Sequence, residues 1–225
     1  PPPPPPGPPP PGTPAGGAAA PPAPPAAPWL MGHDPAAGSV RGWAEQSGEY
    51  DSDGHPDIAQ DPTLRAVQLA RLGPRTGDLV WDVGSSGGAF AVEAARFGAA
   101  VIAIDVNPAA RTVTEAAARR HGVLLQTVTG RAPLVLESLP EPDVVRIGAG
   151  GVPVVTACAD RRPERIAAHA TTRDEAEAIG SALTAGGYAV ETLLLQTVGL
   201  DPADWTERER SVVFLLTGRR TTGAP

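Results

Sequence analysis

The stretch Leu79–Phe90, LVWDVGSSGGAF, joins a short apolar run to a run with helical spacing through an acidic residue and a cluster of glycines. Five residues rich in Val, Leu and Trp suit a buried strand, and the glycines that follow suit a tight turn into a helix. Working outward, GAFAVEAARFG reads as a helix ended by Gly98, and AVIAIDV as a second strand. NPAARTVTEAAARRHG continues as a helix, with Asn107 as its cap, Pro108 at the first helical position and Gly122 at its end. Upstream, PTLRAVQLARLG places Leu64, Val67, Leu69 and Leu72 at helical spacing, with Pro62 in the first turn and Gly73 as a stop.

Downstream, VLLQTVTG and DVVRIGAG read as strands three and four, separated by the amphipathic segment APLVLESL, and RIAAHATT as strand five. This alternation predicts an α/β fold with a parallel sheet and helices on both faces. After the helix RDEAEAIGSALTAGG the rhythm breaks. YAVETLLLQTV and RSVVFLLTGR are two apolar strands joined by a polar stretch without a full helix, which predicts an antiparallel hairpin at the sheet edge. A mostly parallel, seven-stranded Rossmann-like sheet with a C-terminal antiparallel hairpin is the pattern of class I methyltransferases.

The other segments are simpler. Residues 1–28 hold only Pro, Gly, Ala and one Thr, too little apolar surface to offset the entropy of ordering, and read as a disordered proline-rich tail or linker. Residues 29–61 read as a poorly ordered arm, 62–220 as the methyltransferase domain and 221–225 as a tail. The chain of 225 residues has a formal net charge of −7, which argues against a nucleic-acid partner. All 18 basic residues are Arg, so lysine Schiff-base chemistry and lysine-dependent phosphate loops are excluded. The single cysteine, Cys158, cannot form an intrachain disulfide and reads as a small buried apolar residue, and the four histidines show no metal-ligand spacing, so no metal is expected. No apolar run reaches the ~18–20 residues of a membrane span. The expectation is a cytoplasmic protein without a membrane partner.

The turn puts Gly84 directly after a strand and Gly88 at a helix start, so backbone N–H groups face the carboxyl edge of the sheet. Asp105 ends the second strand 21 residues after Gly84, the distance at which a carboxylate in such folds reaches ribose hydroxyls. NAD and S-adenosylmethionine (SAM) sites share this geometry. Asp82, two residues before Gly84, favours SAM: it can organise the loop near a methionine ammonium, whereas a pyrophosphate would have to approach its negative charge. Ser86 adds a side chain where a cofactor approaches backbone, and the expected effect is weakened binding. Asp82 and Asp105 also have plainer roles as caps of the turn and of the next helix.

From about Asp57 to Arg220 the chain resembles the decarboxylating precorrin methyltransferases of cobalamin biosynthesis, both the separate C15 enzymes and the carboxyl-terminal half of the fused precorrin-6Y C5,15-methyltransferases. The resemblance rests on GDLVWDVGSSGGAFAVEAA, VIAIDVNPAA, TGRAP, PDVVRIGAGG, RIAAHATT and VVFLLTGRR. It implies SAM-dependent methylation at C15 of a precorrin-6 intermediate, with decarboxylation of the C12 acetate. It also implies a cofactor site of Gln60, Asp82, Gly84, Ser85, Ser86, Gly87, Gly88, Asp105 and Ala132. The Gly148–Gly151 turn, with Gly148, Gly150 and Gly151, would then face the tetrapyrrole substrate. His169, at the end of strand five, is placed near that cleft, with a satisfied structural histidine as the plainer reading. Self-association is implied, and so is a fused or separate domain for the C5 methylation. Three residues depart from the family pattern around the cofactor: Gln60 stands for a threonine, Arg131 for the acidic residue of the GDAP turn, and Ser86 in the glycine turn. Arg131 and Arg146 are candidates for substrate carboxylates, with solvated surface arginines as the plainer reading. No general base is assigned. Another class I methyltransferase and a diverged, non-catalytic domain are the alternatives.

Overall fold

The computed structural model describes residues 1–4, 7, 42–46, 50 and 61–221. The chain divides into two units, 1–37 and 38–225. In the first, residues 1–4 and 7 are exposed and without regular secondary structure. The second carries a seven-stranded sheet and five α-helices among its described residues. In chain order these are α1 (Pro62–Leu72), β1 (Leu79–Val83), α2 (Ala89–Arg96), β2 (Ala100–Asp105), α3 (Pro108–Arg120), β3 (Gln126–Thr129), β4 (Val144–Ile147), α4 (Gly151–Asp160), β5 (Arg165–Ala170), α5 (Arg173–Ala185), β6 (Tyr188–Leu200) and β7 (Glu207–Arg220).

The strand order is β3-β2-β1-β4-β5-β7-β6. Strands β1 to β5 are parallel, and β7 runs antiparallel to both β5 and β6, which gives the expected terminal hairpin. The direction of winding reverses between β1 and β4, and in such sheets the crevice opens at the carboxyl ends of those two strands.

Helix termini follow local chemistry. The Asp61 side chain accepts from the Leu64 N–H and the Asn107 side chain from the Ala109 N–H, with Pro62 and Pro108 behind them. Gly73 adopts the left-handed conformation that closes α1, at φ 58°. Two elements differ from the sequence pattern. Strand β3 is shorter than VLLQTVTG, because it pairs with β2 only over Gln126–Thr129 and leaves Leu124 exposed. Helix α4 has no clear signal of its own, since Gly150, Gly151 and Pro153 crowd its first turn, a place where proline costs no hydrogen bond.

Alternate strand residues feed two cores. On one face Trp81, Val83, Val145 and Ile147 pack with Val155 and Cys158 of α4 and Ile179 and Leu183 of α5. On the other, Val80, Val101 and Val144 pack with Leu64, Leu69 and Leu72 of α1 and Phe90 of α2. A fully buried ion pair joins these two helices: Arg65 Nε donates to Glu93 Oε1 at 2.9 Å. Glu93 also accepts from the Tyr50 hydroxyl at 2.7 Å and from the backbone N–H groups of Ala44 and Glu45 at 2.8 and 3.2 Å. Part of the arm therefore docks on the domain, because a buried carboxylate requires donors and the arm supplies three. Trp43 stacks on Phe97 beside it, with ring centroids 3.9 Å apart.

Removal of Arg65 leaves the Glu93 charge buried without its counter-ion. Arg65→Met is expected to lower stability by about 3–5 kcal/mol, read from urea unfolding followed by circular dichroism. Burial pushes the Cys158 thiol up to about 12, so it stays protonated and shielded at neutral pH. A thiol-reactive chromophore should label it only at the rate of unfolding; prompt labelling in native buffer would contradict the packing of α4.

Candidate active site at the carboxyl edge of β1 and β4

Asp82 on β1 and Arg146 on β4 are register partners in adjacent parallel strands. Their side chains form a buried ion pair, with Arg146 Nη1 donating to Asp82 Oδ1 at 2.9 Å, and the flanking register partners are the small Ala103 and Ala167. Alanine on both sides leaves room for a guanidinium and a carboxylate inside the sheet–helix layer. Burial pushes the Asp82 carboxyl above its ordinary range, and the Arg146 guanidinium and the Ala91 backbone N–H oppose that rise. Arg146 Nη1 also donates to the Gly84 carbonyl at 3.1 Å. The arginine that could have met substrate carboxylates, or lain at the surface, is instead a buried tie beneath the glycine turn.

Above this tie the two crossover turns touch. A Cβ on Gly84, at φ 73°, would lie 2.8 Å from the Ala149 nitrogen, and one on Gly148 would lie 2.5 Å from the Gly84 carbonyl oxygen. Gly88 packs against α3, where a Cβ would fall 2.5 Å from the Thr114 side chain. Between Gly84 and Gly88, Ser86 holds a left-handed φ of 50° that glycine adopts more readily. Its N–H donates to Asp105 Oδ2 at 2.9 Å, and the Asn107 N–H donates to Asp105 Oδ1 at 2.8 Å. Asp105 thus anchors the turn to the end of β2 and keeps further lone pairs on both oxygens for an incoming diol.

Gly84, Asp105, Val106, Arg131, Ala132 and Gly150 are among the residues around a cavity of about 210 Å³. Val106 is 53% exposed at its mouth and offers an apolar wall. A second recess of about 100 Å³ holds His169 and Glu175 beside Gly148, Gly150 and Gly151, and Ala149 and Gly150 line both spaces. Of the residues expected at a cofactor, Gly84, Asp105 and Ala132 border the first cavity. Ser85, Ser86, Gly87 and Gly88 form the turn behind it, Asp82 lies buried below, and Gln60 falls outside the described residues. Gly148, Gly150, Gly151 and His169 meet in the second recess.

Val106 and Glu175 were not legible as site residues. Glu175 has one sequence signal, the Thr-x-x-Glu spacing of a capping box, and its N–H does donate to the Thr172 hydroxyl at 3.3 Å. The arrangement offers a carboxylate for a ribose, backbone for close approach of a ligand, and an imidazole and a carboxylate across a shared glycine wall.

Residues 49–199 match the family model described as the precorrin methyltransferase domain. A precorrin-6Y C(5,15)-methyltransferase (decarboxylating) from Sinorhizobium is 38% identical over 91 residues, covering 39% of this chain and 22% of that protein. A probable cobalt-precorrin-6B C(15)-methyltransferase (decarboxylating) from Pyrobaculum calidifontis is 35% identical over 129 residues, covering 53% of this chain and 66% of that protein. The matches therefore span about a fifth of the first relative and just under two thirds of the second. The crystal structure of a precorrin-6Y C5,15-methyltransferase from Geobacter metallireducens superposes with a TM-score of 0.71 at 23% identity, over 79% of this chain and 97% of that one, a likeness of fold.

Arg146→Met should cost about 3–5 kcal/mol at pH 8, because the Asp82 charge then stays buried alone. The sign with pH follows from Asp82: a carboxyl whose folded pKa lies above its unfolded value penalises the fold in full above the folded pKa, and the penalty fades as pH falls through it and is gone below the unfolded pKa. The deficit should shrink toward pH 4, and Asp82→Asn/Arg146→Met should recover much of it at pH 8, both read from denaturant midpoints. Ser86→Gly should instead raise stability by about 1 kcal/mol by relieving the left-handed serine, read from the same midpoints.

Proposed function

Because the chain belongs to the precorrin methyltransferase family, we propose that it uses SAM to methylate C15 of a precorrin-6 intermediate and releases the carboxyl of its C12 acetate as carbon dioxide. One observation carries this reading: the Gly84 and Asp105 cavity and the His169 and Glu175 recess share the Ala149–Gly150 wall, so a cofactor and a second ligand can meet there. The residues fit the cofactor. Asp105 keeps lone pairs for the ribose, Gly84 borders the cavity with bare backbone, and Val106 offers its apolar face to the adenine. When bound, SAM supplies an electrophilic methyl group.

The chain's own part is positioning. Backbone at Gly84 and at Gly148–Gly151 brings ring carbon and methyl group into line, and such orientation can supply about 7–11 kcal/mol of a barrier without a covalent residue. With SAM bound, the ring carbon would bond to the methyl group as the sulfonium S–CH₃ bond breaks and its pair stays on the departing thioether; the pair freed from the C–CO₂ bond would return to the ring, the remaining arm carbon taking a proton, so no oxidant or reductant is required. Arg131, exposed at the cavity rim, donates where the family places an acid, so the adenine amino group needs another acceptor. The reading covers the C15 half alone, in the cytoplasm; the C5 transfer named for the Sinorhizobium protein belongs with a fused or separate domain. His169 and the Gly148–Gly151 turn face the tetrapyrrole.

Calorimetric titration of the full chain with SAM and its demethylated product should give a micromolar Kd, weakened at least tenfold in Asp105→Ala. With a precorrin-6 substrate, methyl transfer and carbon dioxide release should then appear in equal amounts. Folded protein that binds neither compound would overturn the enzymatic reading, and methylation without carbon dioxide would overturn its decarboxylating half.

A further inference from the structure

At the opposite edge of the sheet the antiparallel pairing of β5 with β7 sets Arg165 directly across from Arg219. Directly opposed residues on neighbouring strands share one face, and like charges in that position repel. A third guanidinium comes from Arg71 in the last turn of α1, which packs over the same strands. The three border a cavity of about 300 Å³, closed by Ala189, Glu191 and Thr217. Glu191 is the single carboxylate in that lining, and it is engaged by Arg71 at 3.1 Å. Arg165 is fixed by donation from Nη1 to the Arg71 carbonyl at 2.9 Å, while Glu164 stands 3.6 Å from its Nε. The Arg219 side chain makes no hydrogen bond or ion pair among the described residues.

A repulsive cross-strand pair with a third guanidinium above it, in a chain of net charge −7, is a local concentration of positive charge with room beside it. Guanidinium forks bind oxyanions in pairs of parallel hydrogen bonds, and the volume lies at the small end of ligand sites. We propose that Arg71, Arg165 and Arg219 form a binding site for a small multivalent oxyanion, a phosphate group or a polycarboxylate. Strand β5 separates this site from His169 by four residues, on the order of 13 Å, so an occupant need not contact either cavity of the carboxyl edge. The site is independent of the methyltransferase reading. Its ligand would act by stabilising the β5–β7–α1 junction rather than by competing for the cofactor.

The test uses the full chain, titrated calorimetrically and melted with inorganic phosphate and, separately, with citrate, at ionic strength held constant with sodium chloride. Saturable binding of at least one probe with Kd at or below ~1 mM is expected. Affinity should fall at least tenfold in Arg219→Gln and stay unchanged in Arg173→Gln, which alters an exposed arginine on α5. Preference for phosphate would assign a phosphorylated ligand and preference for citrate a polycarboxylate, both within the proposal. Without ligand, Arg219→Gln should melt no lower than the parent, because it relieves a repulsion. Absence of saturable binding to both probes, equal affinity in Arg219→Gln, or a lower melting point of that variant without ligand would each overturn it.

Discussion

The ion pair of Asp82 and Arg146 is the constraint on which the candidate site rests. It lies where the strand order reverses, so that the chain leaves β1 and β4 toward helices on opposite faces of the sheet. An arginine and an aspartate at one level of adjacent strands, flanked by Ala103 and Ala167, hold β1 and β4 in register, and the arginine donates to the Gly84 carbonyl from below. Such pairs seldom raise stability over an apolar replacement, since desolvation consumes much of the Coulomb gain. What this one supplies is position: the Gly84 and Gly148 turns stand over it in contact that leaves no room for a Cβ.

A second buried pair, Arg65 with Glu93, organises the neighbouring layer. Glu93 draws the N–H groups of Ala44 and Glu45 and the hydroxyl of Tyr50 onto α2, so arm and first helix are held by one carboxylate. Both ionic ties belong to the α1–α2 side of the sheet, and Arg146 lies over the Phe90 ring, 5.7 Å from its centroid. The α4–α5 side is held by apolar packing of Trp81, Val155, Cys158 and Leu183. The division follows from strand alternation, which sends Asp82 and Arg146 to one face and their neighbours Trp81, Val83, Val145 and Ile147 to the other.

The glycine turn shows how a departure from pattern is absorbed. Ser86 takes the left-handed conformation in place of a glycine, and its N–H satisfies Asp105. The Ser86 side chain does not border the Gly84 and Asp105 cavity. Arg131 is a different matter. It stands exposed at the rim of the cavity itself, where Ser86 does not reach.

The sequence by itself determined the α/β class, the glycine turn, the Asp105 spacing, the cap at Asn107, the first-turn proline Pro62, and the terminal hairpin. Each depends on contacts within a few residues or on periodicity along one strand or helix, which is the range over which a linear pattern carries information. Only the tertiary structure decided that Arg146 is buried against Asp82, 64 residues away, that Ala149 closes on Gly84, and that Arg165 faces Arg219. Those facts depend on strand order and register, which are set by the summed packing of two cores. An arginine on the page carries the same charge whether it meets water, a ligand or a buried carboxylate, and the fold alone selects among them.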